Sequence, residues 1–244
     1  MSEIARQGGR AHDAMRPASI VLGVNKYAEG SCQIEMGDTK VLCTASVDPS
    51  VPPWLRGGGR GWITAEYSML PRACTERTPR DAAKGKINGR SVEIQRLIGR
   101  SLRSVVNLKA LGERCIWVDC DVLQGDGGTR CAAITGGFAA LGQCLRGLQK
   151  AGQVPKEVLV DYVAAVSLGV VGGKIFADLD YAEDSSAEVD CNLVMTGSDQ
   201  LVEVQGTGEQ RPFSREELDQ ILRVGAERIA ELIALQRKAL DSIA

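Results

Sequence analysis

The chain of 244 residues is 44% hydrophobic and 25% charged, long enough to bury a core as one large domain or two small ones. A single histidine, His12, rules out a multi-histidine metal centre and leaves a Ser-His-Asp triad resting on one residue near the N-terminus. The net charge of −2 conceals eleven Lys/Arg against four Asp/Glu between Arg56 and Arg103, a better fit to a confined polyanion site than to general coating of nucleic acid.

The first residues, Met1 to Arg10, hold no apolar run of the kind a secretory signal needs. Residues 6–17, with Arg6, Arg10, Asp13, Arg16 and Pro17, read as a solvated arm, and His12 as a solvated loop residue. Strands are predicted over Ser31–Met36 and Lys40–Val47, joined by a tight turn at Gly37-Asp38. The glycine loop that follows, Trp54-Leu55-Arg56-Gly57-Gly58-Gly59-Arg60-Gly61-Trp62, sets aromatics beside cations in a way that suits base stacking and phosphate contact. The plainer reading is a flexible tip with both tryptophans in the core.

A strand over Ile63–Leu70 leads into a long basic loop, residues 72–90, carrying Arg72, Arg77, Arg80, Lys84, Lys86 and Arg90. Loops of this length are functional, disordered or simply solvated, and these cations suit a phosphate backbone read without regard to sequence. A helix over about Ser91–Val106 buries Ile94, Leu97, Ile98 and Leu102 and leaves Arg96, Arg100 and Arg103 as surface charge. Arg90 then falls at its first turn, able to reach a ligand there.

The strand-like segment Cys115–Val118 precedes the stretch Asp119 to Arg130, which holds Gly125-Asp126-Gly127-Gly128-Thr129-Arg130 and runs into a second helix marked by Ile134, Phe138, Leu141, Leu145 and Leu148. Glycine-rich amides form an anion-binding nest, a helix opening at Thr129 adds its positive dipole end, and Arg130 adds a fork of donors suited to phosphate. The alternative is a strand–turn–helix joint whose glycines only make the bend. Small residues along this helix, among them Gly136, Gly137 and Gly142, predict close packing. Gly152–Pro155 is the candidate joint between a portion 1–153, holding the basic loop and the glycine turn, and a portion 154–244.

Tyr162–Val171 reads equally as helix or buried strand. The run from Val163 to Gly173 is too short to span a bilayer. Gly169-Val170-Val171-Gly172-Gly173-Lys174 fails the phosphate-loop spacing. Strands are predicted for Lys174–Tyr181 and Ala187–Met195, with a turn at Asp184–Ser186 between them. In one straight strand Asp184 and Asp190 stand ~20 Å apart; a hairpin brings them close enough to hold Mg²⁺ or to act as an acid, unless they are only turn residues. A strand at Leu201–Val204 and a closing amphipathic helix, opened by a Ser214/Glu217 capping box, complete the chain. Eight cysteines without a Cys-x-x-Cys pair read as buried thiols of a reducing cytosol, so a cytoplasmic protein without a membrane is expected.

These stretches in this order resemble the ribonuclease PH family of phosphate-dependent 3′-exoribonucleases. The likeness rests on Arg10-x-x-Asp13-x-x-Arg16-Pro17, Val51 to Gly59, Trp62 to Arg72, Gly89 to Arg100, Asp126 to Arg130 and Glu183 to Asp190. It implies an α+β fold of the ribosomal-protein-S5 domain 2 type. It places phosphate ligands at Arg90, Gly128, Thr129 and Arg130, an acidic pair for Mg²⁺ and catalysis at Asp184 and Asp190, with Arg130 also catalytic, and RNA contacts at Arg72, Arg77 and Arg80. It further implies inorganic phosphate as co-substrate, precursor tRNA and other RNA 3′ ends as substrates, and a homohexameric ring, a trimer of dimers. Two alternatives stay open: a catalytically silent RNA-binding ring subunit of an exosome-like assembly, and a small-molecule phosphotransferase of the same fold.

Overall fold

Two sheets and the helix wedged between them decide where every functional side chain sits. The structure, a computed structural model, describes residues 6–80, 83, 85 and 88–243. In chain order the elements are β1 Ala18–Leu22, β2 Gly30–Met36, β3 Thr39–Asp48, β4 Trp62–Met69, α1 Gly89–Ser104, α2 Leu108–Leu111, β5 Cys115–Gln124, α3 Thr129–Lys150, β6 Val163–Val171, β7 Lys174–Ala177, α4 Tyr181–Ser186, β8 Val189–Thr196, β9 Leu201–Gly208 and α5 Arg215–Asp241. The first sheet runs β1-β2-β3-β5-β4 and the second β7-β6-β8-β9. All pairings are antiparallel except β4 with β5. A mixed first sheet and helices packed against both sheets make this an α+β architecture.

Helix α3 packs on β2, β3 and β5 of the first sheet and on β6 of the second, while α5 covers β6, β8 and β1. Its small residues permit that position. A Cβ on Gly136 would lie 2.6 Å from Ile34, and one on Gly30 would lie 2.0 Å from the Ala140 carbonyl, so helix and strand backbones meet where any side chain would part them. One continuous apolar core results, running from Ile34 and Val118 through Phe138 to Leu193 and Ile229. Among the described residues no helix is long and apolar enough to cross a membrane.

Several expectations shift. Tyr162–Val171 resolves as strand from Val163: β6 has partners on both edges and helices over it, so all nine residues are buried and its pattern is apolar without a period. The strand begun at Lys174 stops at Ala177, because Asp178 takes a φ of 52°. Asp184–Ser186 is no hairpin turn but part of α4, stabilised by a reciprocal Asp180/Glu183 capping box. β5 continues to Gln124, so the glycine turn begins only at Gly125. Strand β1 and the short helix α2 carry too few residues to stand out in the sequence.

The tryptophans are not core residues: Trp54 is 64% exposed, edge-on to the half-buried Trp62 with ring centroids 5.0 Å apart. Arg103 is no free surface charge, since its guanidinium lies 4.4 Å from the Trp62 ring centre and donates to the Ile63 carbonyl. Nor is the N-terminal arm solvated. Arg6 is buried against Glu183 of α4 and Arg16 against Asp178, just past β7, although His12 is exposed as expected. Seven of the eight thiols are buried and Cys74 is exposed.

Candidate active site

The turn Gly125–Gly128 carries the chain from β5 into α3, and it is held from three sides. Thr39 donates its hydroxyl to the Gly127 carbonyl (2.7 Å) and accepts from the Asp126 amide (2.9 Å). The Gly125 amide donates to the Ala73 carbonyl (2.8 Å). From the N-terminal arm Arg16 donates to the Asp126 carbonyl, and from α4 the Tyr181 amide donates to the Asp126 carboxylate (3.2 Å). Gly127 and Gly128 have φ of 71° and 65°. A Cβ on Gly127 would stand 2.3 Å from the Leu179 carbonyl, so the turn lies directly against the segment leading into α4.

Helix α3 starts at Thr129, where the sequence places it. Its first-turn amides have no acceptor within the helix and, with the positive dipole end, belong to residues that line the site's cavity. Arg130 is oriented by Gln205 of β9, which accepts at 2.8 Å, and by Glu93 of α1 at 3.5 Å. Arg90 is the second residue of α1, whose N-terminus is capped by the Asn88 side chain. Tyr67, near the end of β4, shares a hydrogen bond of 2.9 Å between its phenol and the Thr129 hydroxyl.

Opposite stand the carboxylates. Asp184 lies on α4 and Asp190 is the second residue of β8. One cavity of about 220 Å³ is lined by Arg90, Gly128, Thr129, Arg130, Asp184 and Asp190, with Ser167 and Asn192 beside them. Burial, followed by the neighbouring Asp184 charge, pushes the Asp190 carboxyl up to about 6 against the pull of Arg130. Asp184 is raised as well, by burial, with Arg90 and Arg130 opposing. Among the described residues no group of three or more metal-binding side chains gathers. Two adjacent carboxylates nonetheless match Mg²⁺, which keeps several waters and takes substrate phosphate oxygens as its remaining ligands.

Of the basic loop, Cys74 and Arg90 line this cavity, and Arg72, Arg77 and Arg80 stand apart from it. Arg72 lines a wider, open groove of about 830 Å³ that shares Cys74 and Gly125 with it. Arg77 and Arg80 are exposed, and the charge of Arg80 reaches Asp121 on the first sheet, whose carboxyl burial otherwise raises. Lys84 and Lys86 fall outside the described residues.

Two parts of the site escaped sequence reasoning. One is Tyr67, which in the sequence is only the third apolar residue of an alternating strand. The other is the set of ion pairs under the turn: Arg16 donates to both oxygens of Asp178, at 2.6 and 2.9 Å, and Arg6 to both oxygens of Glu183, at 2.7 and 2.8 Å. Arg10 joins both carboxylates, at 3.5 and 3.2 Å. The Arg10-x-x-Asp13-x-x-Arg16 spacing was their only trace.

Models of the 3′ exoribonuclease family match the chain in two parts, domain 1 over residues 14–145 and domain 2 over residues 161–228. A protein named ribonuclease PH from Moorella thermoacetica is 57% identical over 239 residues, 98% of this chain and 96% of that one. Among solved structures, rice Rrp46 is similar with a TM-score of 0.78 at 21% identity, covering 96% of this chain and 100% of that chain. A chain of the Archaeoglobus fulgidus exosome, solved with RNA bound to the active site, also has a TM-score of 0.78, at 23% identity, covering 95% of this chain and 92% of that chain. With both family domains matched in order and a relative this similar end to end, the chain belongs to the 3′ exoribonuclease family.

Proposed function

We propose that the chain shortens RNA from the 3′ end by phosphorolysis, trimming the 3′ tails of precursor tRNA with inorganic phosphate and releasing nucleoside 5′-diphosphates. The observation that carries this reading is the shared cavity, where two arginines and a helix N-terminus face two carboxylates. Free phosphate is already a nucleophilic anion, so such a site needs no histidine to activate water. Its task is to hold one anion against another in line and offset their charge, which positioned donors do in phosphoryl transfer.

Arg90, Arg130, the Thr129 hydroxyl and the amides around Gly128 hold the phosphate. One of its oxygens attacks the phosphorus of the last phosphodiester, and the bond from that phosphorus to O3′ of the preceding ribose breaks. O3′ leaves as an alkoxide that must take up a proton, and Asp190, whose proton affinity the site raises, is the group equipped to supply it. Where Mg²⁺ takes the site instead, Asp184 and Asp190 would both hold it as carboxylates, Asp190 then having no proton to give, and the ion, when bound, offsets charge on the phosphate oxygens. Every step is reversible, so nucleoside diphosphates are added back when phosphate is scarce.

Arg72, in the adjoining groove, and the exposed Arg77 and Arg80 grip the RNA upstream of its end. The chain works as a homohexameric ring, a trimer of dimers, in the cytoplasm. A silent ring subunit would have no need to keep both arginines and both carboxylates around one cavity. The deciding assay incubates the protein with a 3′-extended tRNA and Mg²⁺, with and without phosphate. Nucleoside diphosphates released only with phosphate are expected; RNA bound but unshortened, or monophosphates released without phosphate, would sink the proposal.

A further inference from the structure

We propose that Tyr67 is a positioning residue that sets the hydrogen-bond polarity of Thr129, so that the threonine hydroxyl meets the cavity's ligand as a donor. The inference rests on the phosphate reading of the site given above. A threonine hydroxyl has one hydrogen and two lone pairs, and either can face a ligand. At Thr129 one lone pair is already taken: its hydroxyl, 2.9 Å from the Tyr67 phenol, is the one acceptor among the described residues for that buried group's hydrogen, which would otherwise go unbonded. The single hydrogen of Thr129 is therefore left for a different acceptor, and Thr129 lines the cavity.

Tyr67 itself is 4% exposed and does not line that cavity. Burial raises its phenol above the ordinary value, against the charges of Arg90 and Arg130, so it keeps its hydrogen at neutral pH. Strand β4 pairs with β5 in register, Tyr67 against Cys120, which fixes the phenol beneath the start of α3. The wall formed by Arg90, Arg130, the helix amides and the oriented Thr129 hydroxyl then offers hydrogens only. An anion such as phosphate, rich in acceptors, meets that need. A ligand group that only donates, such as an ammonium, leaves the wall's hydrogens unpaired, at the cost of unsatisfied buried polar groups.

A double-mutant cycle tests this, reading KM for phosphate during nucleoside diphosphate release from a 3′-extended tRNA. Tyr67→Phe should raise KM for phosphate about fivefold, the worth of one oriented hydrogen bond, and leave KM for the RNA unchanged. Thr129→Val, which removes the hydroxyl and keeps the shape, should weaken phosphate as well. In that background Tyr67→Phe should add nothing, whereas in Thr129→Ser, which keeps the hydroxyl, its effect should persist. A general structural role for Tyr67 predicts equal losses in all three backgrounds, and that result overturns the proposal. So does an unchanged phosphate KM in Tyr67→Phe while Thr129→Val is impaired. Normal phosphate binding in Thr129→Val would instead remove the assignment of Thr129 as a phosphate ligand, on which the inference stands.

Discussion

Arg130 is the side chain whose surroundings say most about its task. It carries a positive charge into a half-enclosed cavity, and the carboxylate nearest to it, Glu93, stands at 3.5 Å while the neutral Gln205 holds it at 2.8 Å. Much of its charge is thus left for a ligand. Arg130→Ala should lower kcat/KM for phosphorolysis by about 10² to 10³, the loss typical of one charge-stabilising donor, with little change in melting temperature. Near-normal turnover would mean that the phosphate sits elsewhere. Asp190 answers from the other wall: its raised carboxyl marks a site where two negative charges are held together until a cation, a proton or both relieve them. Asp190, inside a predicted strand, was set apart only by the family resemblance, whereas Arg130 stood out in the sequence because glycines beside Thr-Arg are a local signature. Tyr67 did not, because an aromatic on a strand looks alike whether its hydroxyl is idle or bonded.

Turn and helix geometry sets the next scale. The glycine turn touches both halves of the site, gripped by β3 through Thr39 and pressed against Leu179 before α4. Gly127→Ala adds a methyl 2.3 Å from the Leu179 carbonyl at a φ of 71°, so the turn and α4 must separate and carry the amides proposed to hold phosphate away from Asp184. A lower melting temperature together with lost phosphorolysis is expected. Gly59→Ala is the control: its φ is 63°, but nothing lies within 4 Å, so it should cost only the ~1 kcal/mol of backbone strain and leave catalysis intact. Equal activity losses in both variants would show that strain alone, not separation of the two walls, matters. Helix starts such as Thr129 were readable in advance because caps and glycines act over a few residues. The helical form of Tyr181–Ser186 was not, since Asp180 and Glu183 look like turn residues until their mutual capping is seen.

On the scale of the molecule, the N-terminal arm fastens the second sheet to the first beneath the site. Arg6 and Glu183 are 177 residues apart in the chain, a separation no local pattern reports, which is why the arm read as solvated. Burying such charges is expensive, and it succeeds only because each guanidinium meets a carboxylate with both oxygens bonded. Burial tends to raise the Glu183 carboxyl, but the Arg6 hydrogen bonds and the Asp180 amide outweigh it and leave the group below its ordinary value of 4.5. A carboxylate held low in the folded state binds fewer protons than it does unfolded. Its contribution is therefore complete above about 4.5 and fades as pH falls through the lowered folded value. Glu183→Gln leaves Arg6 and Arg10 buried without that charge, so it should unfold at a clearly lower temperature at pH 7, by the equivalent of about 3–5 kcal/mol for a broken buried pair. The gap between variant and parent should then narrow as the solution is acidified below 4.5, because the parent loses the same charge by protonation. Melting curves from pH 7 to pH 3 measure this directly; a gap that stays constant across the range would mean that Glu183 acts through shape and not through its charge.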